Sequence, residues 1–299
     1  MLKRLGLYIT KNRFNVLWIA LVCALLPFLG FPTSWINVVL IAFITLRKGA
    51  KEGFFVVLWS ALPAVALAVL GNYDFLLSIV VLRGLVVWLL AITLGRSASW
   101  SAVIQATTVL GLAMIALLHY SVADVSGMWL KQLTVFWQAM SESLKPNVSM
   151  EQSESMLRMI SQFATGVLAV IFLGFDLLLI LLARGWQAIT VNPGGLAKEL
   201  LQIRMGLIAS AMLLVCIVLT LLGSTFATDA LPLVLLPFVL SGLSLIHAKL
   251  LNKKEFKLPV LMGLYIALIF FVPYISILLA FLALLDSWFD FRSLRAVRV

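Results

Sequence analysis

The run VLAVIFLGFDLLLILL, Val167 to Leu182, contains a single charged residue, Asp176. A bilayer core about 30 Å thick is crossed by about 20 predominantly apolar residues in helical form. Apolar residues continue beyond both ends of this run, so its length is sufficient to cross a membrane. The run therefore predicts a transmembrane helix with one carboxylate inside it.

Runs of the same kind fill the rest of the chain. Hydrophobic residues make up 63% of its 299 residues and charged residues only 11%, with a mean hydropathy of +1.14, whereas soluble domains are about 25% charged. We therefore expect an all-α, polytopic transmembrane helical bundle of about 9–10 membrane segments, forming a single integral membrane domain over residues 1–299. The apolar runs lie at 14–30, 33–46, 54–70, 75–95, 101–119, 163–184, 205–223, 231–249 and 259–285.

Basic residues orient these helices. All of the 22 Lys and Arg residues except Arg83, Lys131, Lys145 and Arg158 can lie on one side of the membrane. The positive-inside rule makes that side cytoplasmic and predicts that both termini are cytoplasmic. The net charge of +10 is thus explained by topology, and nucleic-acid binding is not expected.

Proline interrupts the first and last apolar regions. Pro32 divides 14–46, which we interpret as two helices that turn at residues 31–34. Pro273 divides 259–285, which is either a hairpin of two short helices or one long kinked helix, and we favour the hairpin. Non-helical backbone at membrane depth is tolerated where it is buried or lines a cavity, so Pro32 and Pro273 are candidate ligand-binding positions. The alternative is that proline is simply common in membrane helices.

One polar segment, 120–162, is predicted to be extracytoplasmic. Trp129, Leu133, Phe136, Trp137 and Met140 recur at helical spacing and predict an amphipathic helix. Such a helix can lie in the outer interface, cap a cavity that opens outward, or pack on the bundle, and the pattern does not choose among these.

Two ionisable residues fall inside predicted spans, Arg83 and Asp176. Their predicted depths from the outer surface differ by less than the reach of an arginine side chain. One interpretation is a structural ion pair. The other is that one or both line a cavity and bind an anionic or zwitterionic solute, or that Asp176 carries a coupling proton. At the outer ends of spans, the polar residues are ordinary loop chemistry unless the spans converge there; they are Asn72, Tyr73, Asp74, His119 and Asp229.

No catalytic, metal or nucleotide-binding motif is present, so we expect neither an enzyme nor a cofactor. Cys23 and Cys216 lie in separate apolar runs and suggest no disulfide or metal site. Ser60, Ala64 and Ala68 form a small-residue stripe that permits close helix packing, either within the chain or with a partner membrane subunit.

The last apolar run ends in LLDSWFDFR, Leu284 to Arg292. Asp286 and Asp290 lie one helical turn apart near a helix C-terminus, where the helix dipole and their mutual repulsion both oppose them. We therefore predict a structural clamp in which Asp286, Asp290 and Arg292 tie the C-terminal hairpin to cytoplasmic cations. The expected partners are basic groups such as Arg47, Lys48 and Arg184.

This motif, the preceding proline-containing run, NPGGLAKELLQIR (Asn192 to Arg204) and the long outer segment together resemble the YybS-like family, an uncharacterised family of bacterial inner-membrane proteins. That family is distantly similar to the S components of energy-coupling-factor transporters, which hold a small molecule in an outward-opening cavity. The resemblance implies a bacterial inner-membrane location but transfers no catalytic or binding residue, and this chain has more spans than S components.

Two classes of function follow. The first is binding or transport of a small solute in a cavity between helices. The second is a non-transporting envelope scaffold or assembly partner. Handling of a lipid is a third possibility, which requires a lateral opening with basic groups beside it. Membrane lipids are expected partners in every case.

Overall fold

The fold is all-α, and no strand occurs in the part of the chain that the computed structural model describes, residues 2–26, 31, 34–71, 74–144, 150–191, 193–250 and 254–292. The helices within these ranges are α1 Leu2–Lys11, α2 Arg13–Leu25, α3 Ser34–Lys48, α4 Ala50–Gly71, α5 Asp74–Ser97, α6 Trp100–Ser121, α7 Val125–Leu144, α8 Met150–Ser161, α9 Ala164–Val191, α10 Gly195–Leu200, α11 Leu207–Leu221, α12 Thr225–Leu250, α13 Lys254–Phe270 and α14 Val272–Phe289.

Five of these helices, α4, α6, α9, α12 and α14, are long and apolar enough to cross a membrane, and the chain is a multi-pass membrane protein. Three shorter apolar segments accompany them in the described ranges: α2, α11 and Leu258–Phe270 of α13. Large apolar side chains remain exposed along the outward sides of these helices, including Val69, Leu117 and Ile208. In a bilayer such side chains contact lipid and need no protein partner. The predicted polytopic helical bundle is confirmed.

The chain divides into two compact units, and the first comprises Met1–Ala106 and Gly174–Gln202. Its core is built by α3, α4 and α5, which all pack on one another, with α2 against α4. Phe43 is fully buried and stacks on Trp186 of α9 at 4.4 Å between ring centroids. Ser60 and Ala64 are buried here, and the Ser60 hydroxyl donates to Asn37 Oδ1 at 2.9 Å. These two positions of the small-residue stripe are therefore covered by the chain's own helices.

The second unit comprises Thr107–Leu173 and Ile203–Val299. Its most extensive helix contact is between α12 and α14. Gly242 permits it, because a Cβ there would overlap the backbone of Leu279. Fully buried apolar residues such as Phe238 and Leu279 fill the seam. Close backbone approach through a small residue is the usual way in which membrane helices pack.

The two proline breaks have different outcomes. Pro32 lies outside the described residues. Near Pro273 the helix ends at Phe270 and restarts at Val272, and the intervening Phe271 has a non-helical φ of −126° and ψ of 44°. Pro273 occupies the first turn of α14, where its missing N–H removes no helical hydrogen bond. The break is thus one residue long and lies just before the position predicted for it.

The helix expected over residues 129–140 is present within α7. It packs against α8, and the indole N–H of Trp129 donates to the Thr165 hydroxyl at 2.9 Å. Leu133, Trp137 and Met140 are half-buried, whereas Phe136 is exposed. Part of the predicted apolar face therefore packs on protein and part of it is open.

Candidate functional site

The predicted intramembrane charges meet in the first unit. Arg83 of α5 donates through Nε and Nη2 to Asp176 Oδ1 of α9, at 2.8 and 2.7 Å. Asp176 is buried and Arg83 is partly exposed, with its guanidinium 5.5 Å from the centroid of the Phe175 ring. The cation and the carboxylate neutralise each other, as charges within a membrane require. Neither residue lines the cavities described below, and neither does Pro273.

The C-terminal acids meet basic groups in the second unit. Arg292 Nε donates to Asp286 Oδ2 at 2.9 Å, and Arg204 Nη1 lies 3.1 Å from Asp290 Oδ1. Arg204 Nη2 also donates to the backbone carbonyl of Asp286 at 2.8 Å. Arg292 thus belongs to the cluster as expected, and Arg204 joins it; the pairing with Arg47, Lys48 or Arg184 stays a prediction.

Arg184 has a different partner, Glu199. It binds this carboxylate through Nε at 3.1 Å and through a second, close contact from Nη2. Trp100 donates its indole N–H to the same carboxylate at 3.3 Å. The segment Asn192 to Arg204 thus supplies one acid, Glu199, to the first unit and one cation, Arg204, to the second. The sequence does not predict these roles of Glu199 and Arg204, because ion partners on different helices have no fixed spacing along the chain.

A polar cavity occupies one end of the second unit, with a volume of about 350 Å³. It forms where the C-terminal ends of α6, α8 and α11 meet the N-terminal ends of α7 and α12. We call it the polar cavity; its lining residues are His119, Ala123, Asp124, Val125, Ser126, Ser161, Gln162, Thr220, Gly223, Thr225, Thr228 and Asp229. In the predicted orientation this end is extracytoplasmic. The spans do converge there, which is the condition under which His119 and Asp229 gain significance.

Asp229 is the buried acid of the polar cavity. Its Oδ1 accepts a hydrogen bond from the Gly166 backbone N–H at 3.0 Å. Its Oδ2 lies 3.0 Å from His119 Nε2. When Asp229 is ionised, Nε2 of His119 must carry the hydrogen of this contact. The His119 ring in turn packs edge-on against Phe226 at 5.5 Å between centroids. Asp229 and His119 therefore hold each other in fixed orientations.

A second carboxylate, Asp124, lies at the rim. Its Oδ1 accepts from the Gly127 backbone N–H at 2.8 Å and from the Ser126 hydroxyl at 3.0 Å, the pattern of a helix N-cap. The Gly127 hydrogen bond, followed by that from Ser126, holds the pKa of Asp124 below its ordinary value. Asp124 is therefore anionic at neutral pH, and its contribution to capping α7 is lost only as pH falls through that lowered pKa.

Four of the five hydroxyl groups that line the polar cavity are oriented as acceptors. Ser161, Thr220 and Thr228 each donate their one hydrogen to a backbone carbonyl of the chain, at 2.8, 2.9 and 2.9 Å, and Ser126 donates to Asp124. A hydroxyl has a single hydrogen, so these oxygens have only lone pairs left to offer. No Lys or Arg lines the polar cavity. Its lining therefore favours ligands that are positively charged and donate hydrogen bonds.

A metal ion is not suggested by this lining. In the described part of the chain, no three His, Cys, Asp or Glu side chains lie close enough together to hold one. His119 and Asp229 contact each other, whereas the Asp124 carboxylate is oriented by its hydrogen bonds at the start of α7.

Gly166 determines how closely α9 approaches Asp229, and a prediction follows from it. A Cβ at this position would overlap the Asp229 backbone carbonyl oxygen. We expect Gly166→Ala to lower stability by about 1–3 kcal/mol, the usual cost of overpacking, and to displace Asp229 from the polar cavity. The measurement is thermal unfolding in detergent.

Gly174→Ala is the matched control on the same helix, because nothing lies within 4 Å of a Cβ built there. It is expected to be neutral or to stabilise by up to about 1 kcal/mol, since alanine is the better helix former. Equal melting temperatures for the two variants would contradict the close approach.

Comparison with known proteins gives no relative from which a role can be transferred: no family model, curated protein or solved structure matches the chain. Any functional conclusion must therefore come from the chemistry of the site.

Proposed function

We propose that this multi-pass membrane protein, located in a bacterial inner membrane with cytoplasmic termini, binds a small cationic solute in the polar cavity. The observation that carries the proposal is the lining itself, which combines two carboxylates and hydroxyl acceptors with no Lys or Arg. A volume of about 350 Å³ is near the lower end of ligand-binding pockets. A protonated amine of small size matches both the charge and the volume.

The individual contacts suggest how such a solute is recognised. The carboxylate of Asp124 at the rim attracts an ammonium group, and the hydroxyl oxygens accept its N–H hydrogens. Asp229, already bonded to Gly166 and His119, supplies negative potential from a fixed position. A preformed arrangement of this kind loses little conformational entropy on binding.

The proposed solute site does not include Arg83 or Asp176, the two charged residues that the sequence suggested for ligand binding. Arg83 and Asp176 satisfy each other, and no cavity described here contains them. Membership of the YybS-like family and transport of the bound solute belong to the same proposal. Their support is the opening of the polar cavity at the predicted outer face, which is where the solute-binding components that resemble this family take their ligands.

The proposal is tested by titrating purified protein with 1,4-diaminobutane and with its neutral analogue 1,4-butanediol, by calorimetry. We expect the diamine to bind and the diol to bind at least about tenfold more weakly, because only the diamine interacts with the carboxylates. Asp124→Asn should weaken diamine binding by about tenfold or more. Asparagine caps helices as well as aspartate does, so this variant removes the charge and keeps the N-cap of α7.

Asp290→Asn is the control, because it removes a partly exposed carboxylate of the same unit that does not line the polar cavity. Its affinity for the diamine should equal that of the unaltered protein. Equal binding of diamine and diol, or unchanged affinity in Asp124→Asn, would contradict a cation site in the polar cavity.

A further inference from the structure

A second cavity lies in the first unit, between α2, α3 and α4, with a volume of about 210 Å³. We call it the cationic groove; its lining residues are Arg13, Val16, Leu17, Ile44, Lys48, Glu52, Phe55, Val56 and Trp59. It has no part in the polar cavity or in the proposed binding of a cationic solute, and its chemistry is the opposite.

The character of the cationic groove changes along the helix axes, from charged residues at one end to apolar residues further in. Arg13 begins α2, Lys48 ends α3 and Glu52 lies in the first turn of α4, so the three charges share one end of the helices. Trp59 lies seven residues into α4 from Glu52, which corresponds to about 10 Å along the helix. Leu17 is one turn from Arg13. The groove therefore has a charged rim and an apolar wall that continues towards the middle of the membrane.

The rim carries an excess of positive charge. Arg13 forms a close ion pair with Glu52, whereas Lys48 makes no ion pair or hydrogen bond with any residue that the structure describes. Glu52 is the only acid among the first 52 residues, and the same stretch contains seven cations: Lys3, Arg4, Lys11, Arg13, Arg47, Lys48 and Lys51. An anionic group at the rim is thus electrostatically favoured.

The wall of the groove is built for hydrocarbon. Val16, Ile44 and Val56 are buried and close its base, while Phe55 and Trp59 keep 39% and 38% of their surface exposed. Exposed aromatic residues within about 10 Å of a cluster of basic residues are typical of the zone where acyl chains meet headgroups. A free phosphate ion would interact only with the rim and would make no contact with this apolar surface.

Helix α1 extends the same surface. It carries Lys3, Arg4 and Lys11 together with exposed Leu5, Leu7 and Tyr8, the composition of a helix that lies in the membrane interface. Its packing against α2 places it beside Arg13. Basic pockets between helices on the cytoplasmic side are the usual binding sites for anionic headgroups.

We propose that the cationic groove binds an anionic phospholipid, whose headgroup phosphate interacts with Lys48 and Arg13 while one acyl chain lies over Phe55 and Trp59. The phosphate competes with Glu52 for Arg13 and is the counter-ion of Lys48. The groove is a specific lipid site, because Arg13 and Lys48 at its rim add electrostatic attraction to the apolar contact that any lipid-facing helix surface offers.

The first experiment measures lipid retention by native mass spectrometry, after the protein has been loaded with phosphatidylglycerol or with zwitterionic phosphatidylcholine. The unaltered protein should retain phosphatidylglycerol preferentially, and Lys48→Gln should reduce that retention about fivefold, the effect of one interfacial cation. Lys198→Gln, which removes an exposed cation of α10, should leave retention unchanged. Equal retention in Lys48→Gln and Lys198→Gln would overturn the proposal.

The second experiment locates the acyl chain by fluorescence. Phosphatidylglycerol with brominated chains should quench tryptophan emission, and the quenching should be smaller in Trp59→Phe. Quenching by brominated phosphatidylcholine to the same extent would show an ordinary lipid-facing surface. Displacement of phosphatidylglycerol by inorganic phosphate alone would show a simple anion site, and either result would overturn the proposal.

Discussion

Arg292→Ala is expected to destabilise the protein by about 3–5 kcal/mol, because it leaves the Asp286 carboxylate buried without its cation. Asp286 has no exposed surface, and its Oδ1 makes no hydrogen bond to the described residues, so the contact with Arg292 is its main compensation. Arg292 also donates to the backbone carbonyl of Ile203 at 2.7 Å. Removing it therefore loosens the connection before α11 as well as the end of α14.

The measurement is thermal unfolding in detergent, where a loss of this size corresponds to a lower melting temperature on the order of 10 °C. Asp290→Asn is the control, because the Asp290 contact with Arg204 is partly exposed and such pairs are worth at most about 1 kcal/mol. Asn also tolerates the left-handed backbone of Asp290, whose φ is 44°. A melting temperature of Arg292→Ala equal to that of Asp290→Asn would contradict the clamp.

The same change should leave diamine binding intact, since neither Asp286 nor Arg292 lines the polar cavity. The double variant Asp286→Leu/Arg292→Met is expected to recover much of the lost stability, because a buried ion pair can be replaced by apolar groups of similar volume. Failure of the double variant to recover would show that the hydrogen bonds of Arg292 to Ile203 and Ser244 matter more than its charge.

Arg83→Leu is expected to destabilise the first unit by about 3 kcal/mol or more, because Asp176 then lies unpaired within an apolar helix. Arg83→Leu/Asp176→Leu should recover most of that loss, since the two residues are in direct contact and their effects are strongly non-additive. The measurement is a double-mutant cycle on melting temperature, which compares the unaltered protein, Arg83→Leu, Asp176→Leu and the double variant.

This cycle also separates the two original interpretations of Arg83 and Asp176. A structural pair predicts recovery of most of the lost stability in the double variant and unchanged affinity for 1,4-diaminobutane. A loss of diamine affinity in the double variant, with stability recovered, would instead assign the pair to solute binding and contradict the location of the site in the polar cavity.

The expected pairing of Arg83 with Asp176 illustrates what can be inferred from sequence inside a membrane. Charged residues there are so few, and so costly when unpaired, that two opposite charges at similar depth have few alternatives to each other. The clamp at Asp286 shows the opposite case. Basic residues are abundant at the predicted cytoplasmic ends of the helices, so the contacts of Asp286 with Arg292 and of Asp290 with Arg204 depend on how the helices pack.

The polar cavity could not be predicted from the sequence, for a related reason. His119 and Asp229 are 110 residues apart, and each alone is an ordinary residue at the end of a span. Asp124 looks like a helix cap, and Gly166 looks like one small residue among many. Only the convergence of five helix ends makes these residues neighbours and orients the hydroxyl oxygens as acceptors.

The amino-acid sequence by itself determined that this is a multi-pass helical membrane protein. Each span must satisfy its own backbone hydrogen bonds and present apolar side chains to lipid, so the signal is local and is repeated along the chain. Tertiary structure alone decided which acids meet which bases and where the cavities lie. Those contacts join residues far apart in the chain, and their energies depend on burial and orientation that no local pattern records.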